Sequence, residues 1–352
     1  MDELLNPSEV KASKNPPRRR ALSRRSGGVA FIVTFAIGAI GTVLFAAAAI
    51  AALGAVDRLP APPVNGTWCI DEKLAWMRAN PELLESGVIA VGSSVTWRNL
   101  SFGEIPLKER EAVGGVANLA PCFLRINQTH ELTNFLLDLS PGTHTVISVV
   151  APRDFEACST NATEFFDPEL LESYLSGQVS EWWVYFRNLR AFTFIGDVIR
   201  LPDLSDQLVF EEFGSGPMFR DEPLLVGPAR MEAACFDHLR RMATDLTSRG
   251  VKLVLVLFPF MPAWVESADS TGEQRAEFLT NVRSSLSGTG AVLVDATGMT
   301  FPNEDFADPL HLQWPVVPEF TGYIWERAFQ GQGPAWSGYQ RGASASIGRP
   351  GR

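Results

Sequence analysis

Five short apolar runs punctuate the chain, and amphipathic segments separate them. Four runs are dense in Val, Ile and Leu, which is typical of strands covered on both faces, and the run at 113–121 is weaker. The first dense run opens the stretch GVIAVGSSVTW (87–97), and the other three lie at 144–152, 251–260 and 291–298. Alternation of strands and helices predicts a parallel α/β sheet with right-handed crossovers. Ligands bind such sheets at the carboxyl ends of the strands, where Gly92-Ser93-Ser94 follows the first run.

Helices are predicted between the runs. Through 228–249 apolar residues recur every three or four positions, and Gly250 stands where a left-handed residue ends a helix. Ser270 and Glu273 have the spacing of a capping box, which predicts that another helix starts there. Shorter helical patterns cover 71–87 and the segment beginning at Pro318.

Residues 155–226 interrupt this alternation with a segment rich in Trp, Phe and Tyr. One interpretation is a helical insert that packs its aromatic side chains into the core. The other is a cap over the active face, or a platform on which sugars stack. The tail, 331–352, has too little apolar content to fold and is predicted to be disordered.

The N-terminal part of the chain has the organisation of a membrane anchor. Residues 1–27 form a basic segment with seven Lys or Arg and three Asp or Glu, and 28–56 contain no charged residue. A run of this length spans a bilayer and exceeds the apolar region of a cleaved signal peptide, the alternative interpretation. The positive-inside rule predicts a single-pass inner-membrane protein whose N-terminus is cytoplasmic and whose C-terminal domain is periplasmic. A Pro-rich linker (57–69) leads to one domain at 70–330.

Charge and cysteine content narrow the range of functions. The whole chain carries a net charge of −10 although its head is basic, so the exported part is strongly acidic and we expect no nucleic-acid partner. All four cysteines lie in the exported part, where an oxidising compartment would allow two disulfides. Three pairings are open, and Cys235 could instead be an apolar core residue. The wide spacings do not fit a zinc motif, and we predict no metal and no cofactor.

A serine nucleophile needs a histidine base and a carboxylate that orients it. The chain has four histidines, and His130, His144 and His238 are each predicted to have structural or solvated roles. His311 differs because Asp308 precedes it by three residues, which on a helical turn or a tight loop brings the two side chains together.

An Asp-x-x-His near the C-terminal end of an α/β domain, together with a Gly-Ser turn after the first strand, resembles the SGNH (GDSL-type) hydrolases. VIAVGSSVTW is similar to the first block of that family, with Ser93 in place of its aspartate, and VLVDATGMTFPNEDFADPLHL resembles the last block. The resemblance implies a three-layer α/β/α sandwich with a mainly parallel, flavodoxin-like sheet. It also implies that Ser94 is the nucleophile, His311 the general base and Asp308 its orienting carboxylate. The Gly-Ser-Ser form is similar to the membrane-anchored branch that handles acyl groups on surface polysaccharides.

The middle of the chain departs from the family pattern. The second block falls in VANLAPCF without its glycine, and in the third block Arg153 occupies the position of an asparagine. The predicted oxyanion donors are therefore the backbone N–H of Ser94 and the side chains of Asn118 and Arg153. Loss of one such donor typically costs about 10²–10³ in rate.

Two functions follow from the sequence. The first is a membrane-anchored serine esterase or acyltransferase that acts on O-acyl groups, chiefly O-acetyl, of a cell-surface polysaccharide. Its partners would be an acylated glycan or another ester and, for transfer, an inner-membrane acyl-donor protein. The alternative is a catalytically degenerate scaffold or glycan-binding protein of an envelope polysaccharide assembly machine.

Overall fold

The structure is a computed structural model that describes residues 24–56, 58–204 and 208–329. The chain divides after Leu59 into two units. Most of the predicted basic segment (1–27) and all of the predicted disordered tail (331–352) lie outside the described residues.

The first unit contains one long helix, α1 (Arg24–Ala55). Within it, Gly28–Ala55 forms an apolar stretch of 28 residues with a mean hydropathy of 2.4. This stretch is long and apolar enough to cross a membrane, and an N-terminal signal sequence would meet the same criterion. It is the one such helix within the described ranges.

The second unit is built on a five-stranded sheet in which every neighbouring pair is parallel. The strand order is β2-β1-β3-β4-β5, the flavodoxin-like order. The strands are β1 (Val88–Ala90), β2 (Val116–Asn118), β3 (Thr145–Val150), β4 (Lys252–Leu257) and β5 (Val292–Asp295). Each of the five predicted runs contains one of these strands, so the predicted parallel α/β class is confirmed.

Helices connect the strands, and a short antiparallel hairpin follows the sheet. The helices are α2 (Trp68–Ala79), α3 (Ser94–Arg98), α4 (Leu107–Ala112), α5 (Ile126–Leu139), α6 (Pro168–Leu175), α7 (Glu181–Asn188), α8 (Ala191–Leu204), α9 (Ala233–Ser248), α10 (Pro262–Ala268), α11 (Glu273–Leu286) and α12 (Val317–Ala328). The hairpin consists of β6 (Phe306–Asp308) and β7 (His311–Leu312).

The sheet has a separate hydrophobic core on each face. Successive residues of β4 point to opposite faces, so Leu253 and Leu255 enter one core with α5, α9 and α11. Val254 and Val256 enter the other core with α12. Because both faces are covered, β1 to β4 are buried on both sides, as their apolar sequences predicted, whereas β5 at the edge of the sheet is mostly half-buried.

Four cysteines form two pairs. Cys69 at the start of α2 pairs with Cys122 after β2, with Cα atoms 6.1 Å apart. Cys158 pairs with Cys235 on α9, with Cα atoms 5.3 Å apart. The prediction of two disulfides is confirmed, and the interpretation of Cys235 as an unpaired core residue is wrong.

The start of α11 differs from the prediction. The N-cap is Gly272, in a left-handed conformation (φ 77°), and Ser270 does not cap the helix. The Asp269 carboxylate takes this role, because it accepts hydrogen bonds from the backbone N–H groups of Gln274 (2.9 Å) and Arg275 (3.0 Å). An ionised acceptor that binds two of the first N–H groups replaces the predicted serine cap.

The aromatic-rich segment 155–226 is helical over α6, α7 and α8. Tyr174 and Tyr185 are buried, in agreement with the first interpretation of this segment. Other aromatic side chains are not, and Phe192 is 95% exposed. Packing into the core therefore accounts for only part of the segment.

Candidate active site

The turn between β1 and α3 brings the chain close to the neighbouring strand β3. A Cβ atom on Gly92 would lie 2.0 Å from Thr96 Oγ1, so this position has no room for a side chain. The Thr96 hydroxyl donates to the carbonyl of Val149 (2.9 Å) and accepts from its N–H (3.0 Å), which attaches α3 to β3. The glycine thus allows α3 to begin directly above the carboxyl end of the sheet.

The two serines of this turn have different surroundings. Ser93 is the N-cap of α3, and its buried hydroxyl accepts from the N–H of Val95 at 3.2 Å. Ser94 is the first residue of the helix and is half-buried, and its hydroxyl lies 3.0 Å from His311 Nε2. The turn therefore uses its first serine to form the helix and presents the second to a histidine.

The three predicted catalytic residues lie together. His311 Nδ1 is 2.9 Å from both carboxylate oxygens of Asp308, and its Nε2 contacts the Ser94 hydroxyl. An N–H on Nδ1 that donates to Asp308 leaves Nε2 free to accept the proton of Ser94. Asp308 and His311 are adjacent across the β6–β7 hairpin, so a tight turn, rather than a helical one, satisfies the predicted spacing of three.

The Asp308 carboxyl group is held in its ionised form. Burial acts to raise its pKa, but the charge and hydrogen bond of His311, the N–H of Leu310 and the charge of Arg220 together bring the pKa below its ordinary value. The Leu310 N–H donates to Asp308 Oδ1 at 2.8 Å. An ionised Asp308 can stabilise the imidazolium that would form on His311.

Asn99 joins the two elements that carry the triad. This side chain is fully buried at the end of α3. Its amide donates to the carbonyl of Leu310 (2.9 Å) and to that of Val95 (2.7 Å), and its oxygen accepts from the N–H of Leu312 (2.8 Å). The hairpin with Asp308 and His311 is thus attached to the helix with Ser94. Sequence reasoning missed this role because Asn99 lies in no motif that pairs it with residues 211 or more positions away.

Asp154 is a second residue that the sequence did not reveal. It is buried below the turn, and its carboxylate accepts from the N–H of Ala151 at 2.8 Å. Burial raises its pKa to about 6, while the Ser93 hydroxyl, the Ala151 N–H, Arg125 and His311 oppose the shift. Asp154 therefore adds a second carboxyl group close to Ser93 and His311.

Asn118 does not offer its amide to the site. The Nδ2 group donates to the carbonyl oxygens of Trp97 (3.0 Å) and Thr96 (3.3 Å) and to the Ser215 hydroxyl (3.0 Å). Both amide hydrogens are thereby used to hold α3 in place. Asn118 supports the helix because the carbonyls of α3 lie within hydrogen-bond distance of its amide. This role differs from the oxyanion role predicted for it. Of the predicted donors, the backbone N–H of Ser94 is at the first turn of a helix, where no intrahelical acceptor exists.

Arg153 lines a pocket next to the triad. The pocket includes Pro309 and Leu310, the two residues between Asp308 and His311. Its wall contains Phe260 and Trp264, whose rings stack with centroids 6.0 Å apart. Arg153 Nη2 donates to the carbonyl of Gly227 (3.2 Å), and its Nε is buried without an acceptor in the described part of the chain. This Nε–H remains a donor for a ligand.

Two of the other three histidines are hydrogen-bonded elsewhere in the domain. His130 Nε2 lies 2.8 Å from Asp245 Oδ2, and His144 Nε2 lies 3.0 Å from the carbonyl of Val113. His238 is half-exposed on α9. Within residues 24–56, 58–204 and 208–329, no group of three or more His, Cys, Asp or Glu side chains is arranged to hold a metal ion.

Comparisons with known proteins add no family to this picture. No protein-family model matches the chain, and no curated protein matches it. The functional argument therefore depends on the geometry of the site.

Proposed function

We propose that the protein is a serine esterase or acyltransferase of the SGNH type, with Ser94 as nucleophile, His311 as general base and Asp308 as the carboxylate that orients it. The observation that carries the proposal is the continuous chain of hydrogen bonds from Ser94 Oγ through His311 to Asp308, at 3.0 and 2.9 Å. Nucleophile, base and orienting group at these distances are what acyl transfer through a serine requires. The flavodoxin-like strand order, and the site at the carboxyl end of β1, support the SGNH assignment.

In the first half of the reaction, Ser94 Oγ attacks the ester carbonyl while its proton passes to His311 Nε2. The tetrahedral intermediate collapses, the bond from the carbonyl carbon to the alcohol oxygen breaks, and His311 returns the proton to the leaving alcohol. In the second half, water or a sugar hydroxyl loses a proton to His311 and attacks the acyl carbon. The bond from this carbon to Ser94 Oγ breaks, and His311 returns the proton to Ser94 Oγ. Asp308 stabilises the imidazolium in both halves.

The developing oxyanion needs donors, and two candidates remain after Asn118. The backbone N–H of Ser94 lies in the first turn of α3, and the Nε–H of Arg153 is buried at the adjacent pocket without an acceptor in the described chain. A charged donor is stronger than the amide it would replace. Arg153 thus supplies chemistry at the position where the family pattern has an asparagine.

The proposed substrate is an O-acyl group, chiefly O-acetyl, on a cell-surface polysaccharide. The half-buried ring of Phe260, stacked on the buried Trp264 at this pocket, offers an aromatic surface that suits the apolar face of a sugar ring. The apolar stretch Gly28–Ala55 supports a single-pass anchor in the inner membrane with a cytoplasmic N-terminus and a periplasmic domain, and the two cysteine pairs agree with export. Transfer to a glycan would further require an acyl-donor protein in the same membrane.

A fluorophosphonate probe tests the proposal, because it reacts with an activated serine. The full-length protein in detergent should be labelled on Ser94, and Ser94→Ala should lose the label. Ser93→Ala is the matched control, since it removes the adjacent hydroxyl, with its cap of α3 and its hydrogen bond to Asp154, and leaves Ser94 in place. We expect this control to keep labelling and hydrolysis of a small acetyl ester. Full ester hydrolysis by Ser94→Ala would overturn the assignment.

A second candidate function is a scaffold or glycan-binding protein that retains this fold without catalysis. The observation in its favour is Asn118, whose amide hydrogens are used within the protein and leave the oxyanion with fewer donors. A folded protein that binds an acetylated glycan, but whose Ser94 is not labelled by the probe, would support this function over the enzyme.

A further inference from the structure

The outer surface of α7 and α8 exposes six large apolar side chains. In α8 they lie at positions i, i+3 and i+7, on one side of the helix, and in α7 they lie within one turn. We call them the aromatic face: Trp182, Trp183, Phe186, Phe192, Ile195 and Ile199, with exposures between 42% and 95%. Apolar residues concentrated in this way mark sites of interaction with membranes or proteins.

The aromatic face is additional to the surface by which these helices pack on the domain. Val184 and Tyr185 of α7 are buried. The rings of Tyr185 and Phe194 meet edge to face, with centroids 6.2 Å apart, on the inner side of the two helices. The inner sides therefore already supply the packing that a surface helix needs, and an ordinary soluble helix would be polar on its outer side.

Helix α7 is hydrogen-bonded to the linker that follows the apolar stretch in the sequence. The Tyr185 hydroxyl donates to the carbonyl of Pro60, and the Asn188 amide donates to that of Pro63 at 2.9 Å. Pro60 is five positions after Ala55, the last residue of the stretch, and five extended residues reach at most about 17 Å. A helix of 28 residues is about 42 Å long, which matches the hydrocarbon core of a bilayer together with its headgroup regions. The length of chain therefore keeps α7 within reach of the headgroups of any bilayer that this stretch crosses.

We propose that the aromatic face lies in the headgroup–acyl boundary of the bilayer that holds α1. Trp is enriched at this depth, and helices that lie in a membrane surface place Trp, Phe and Leu on one side and basic residues on the other. Arg190, just before α8, and Arg200 within it have exposed side chains of the charge that lipid phosphates attract, although Arg200 also interacts with the charge of Asp197. We choose lipid as the binding partner because a chain anchored by α1 has a bilayer next to it in every copy. The inference depends on the membrane anchor of the proposed function but not on its chemistry.

The test measures how deeply one residue of the aromatic face enters a bilayer. The full chain is reconstituted in vesicles of phosphatidylcholine and phosphatidylglycerol, with a nitroxide on Phe192→Cys. Labelling is selective because the four natural cysteines are paired. Ser248→Cys, at an exposed position at the end of α9, is the matched control. Collision of the nitroxide with dissolved oxygen, relative to collision with a water-soluble nickel chelate, should be several-fold higher at 192, as expected for a depth of about 5–10 Å.

Each result supports or overturns the inference. The inference is overturned if the label at 192 collides with the nickel chelate as often as the label at 248. If native membranes nevertheless protect position 192, a protein partner and not lipid covers the aromatic face. Flotation of the same vesicles reports the anchor separately: a chain that does not float refutes both the anchor and this inference. Ile199→Cys, one further position on the face, must agree with Phe192→Cys, and thermal unfolding of each variant checks that the labels leave the fold intact.

Discussion

The hairpin and turn that carry the triad contrast with the outer surface of α7 and α8. At the triad the polar side chains are buried and paired: Asn99 makes three hydrogen bonds, and His311 contacts both Asp308 and Ser94. On the aromatic face, large apolar side chains are exposed, with Phe192 at 95%. In the first region the polar side chains find their partners within the same chain. In the second region the apolar side chains are not covered by any other part of the domain that the structure describes.

The difference shows how the two regions obtain their geometry. A buried polar group costs free energy unless it is hydrogen-bonded, so the interactions around Asn99 permit few arrangements of the triad. Exposed apolar side chains do not need partners in a fixed geometry, so their arrangement is compatible with contact to a fluid phase such as lipid. Substitutions at the triad should therefore change activity or stability strongly, and substitutions on the aromatic face should change neither in a detergent-solubilised protein.

The largest effect is expected at Asp308. Asp308→Asn keeps the size of the side chain but favours the wrong tautomer of His311, which typically lowers kcat by about 10⁴. The rate of hydrolysis of a small acetyl ester measures the effect, and circular dichroism checks the fold. If Asp308→Asn retained most of the wild-type rate, the triad would be a structural cluster, and the contrast between the two regions would lose its functional meaning.

The sequence predicted the parts of the site that depend on local spacing and chain order. Asp308 and His311 are three residues apart, and Ser94 follows a recognisable strand, so these three residues were found. Asn99 and Asp154 were missed because their roles depend on contacts with distant segments: Asn99 binds the hairpin 211 residues away, and Asp154 meets Ser93 below the turn. Asn118 was assigned to the oxyanion because the family pattern has a donor in that block, and its nearness to the carbonyls of α3 could not be read from the sequence. Likewise, the helical periodicity of α8 does not say which of its apolar residues face the domain.

Asp154 should make the stability of the packed region depend on pH. Burial raises its pKa from 3.8 to about 6, so the folded state binds this proton more tightly than the unfolded state does. The resulting stabilisation is complete only below the unfolded pKa of 3.8 and is lost as the pH rises through about 6, a total change on the order of 3 kcal/mol. Asp154→Asn removes the titrating group. Between about pH 4 and pH 7, the free energy of unfolding in urea should therefore fall by about 2 kcal/mol more in the wild type than in the variant. Equal slopes in the two proteins would mean that Asp154 is not buried as the structure has it.

Asn99 tests whether the hairpin is held by this one side chain. Asn99→Ala leaves the carbonyl of Leu310 and the N–H of Leu312 without their partner, which should lower the free energy of unfolding by about 1–3 kcal/mol. Displacement of His311 by as little as 1 Å should slow probe labelling of Ser94 by about 10²-fold. Asn99→Asp is the control, because it retains the acceptor for Leu312 and should recover part of the stability. Unchanged labelling in Asn99→Ala would show that the hairpin keeps its position without this link.

The smallest effect on stability is expected for substitutions on the aromatic face, because these side chains do not pack against the domain. Phe192→Ser replaces a side chain that is 95% exposed, so in detergent the free energy of unfolding should change by no more than about 0.5 kcal/mol. Phe155, which is fully buried against Phe236 and Phe278, is the matched comparison, and Phe155→Ala should cost about 3–5 kcal/mol. Urea unfolding of the two variants measures both values. A large decrease in the free energy of unfolding of Phe192→Ser would mean that this ring packs inside the domain. The ring would then not be available for contact with a membrane.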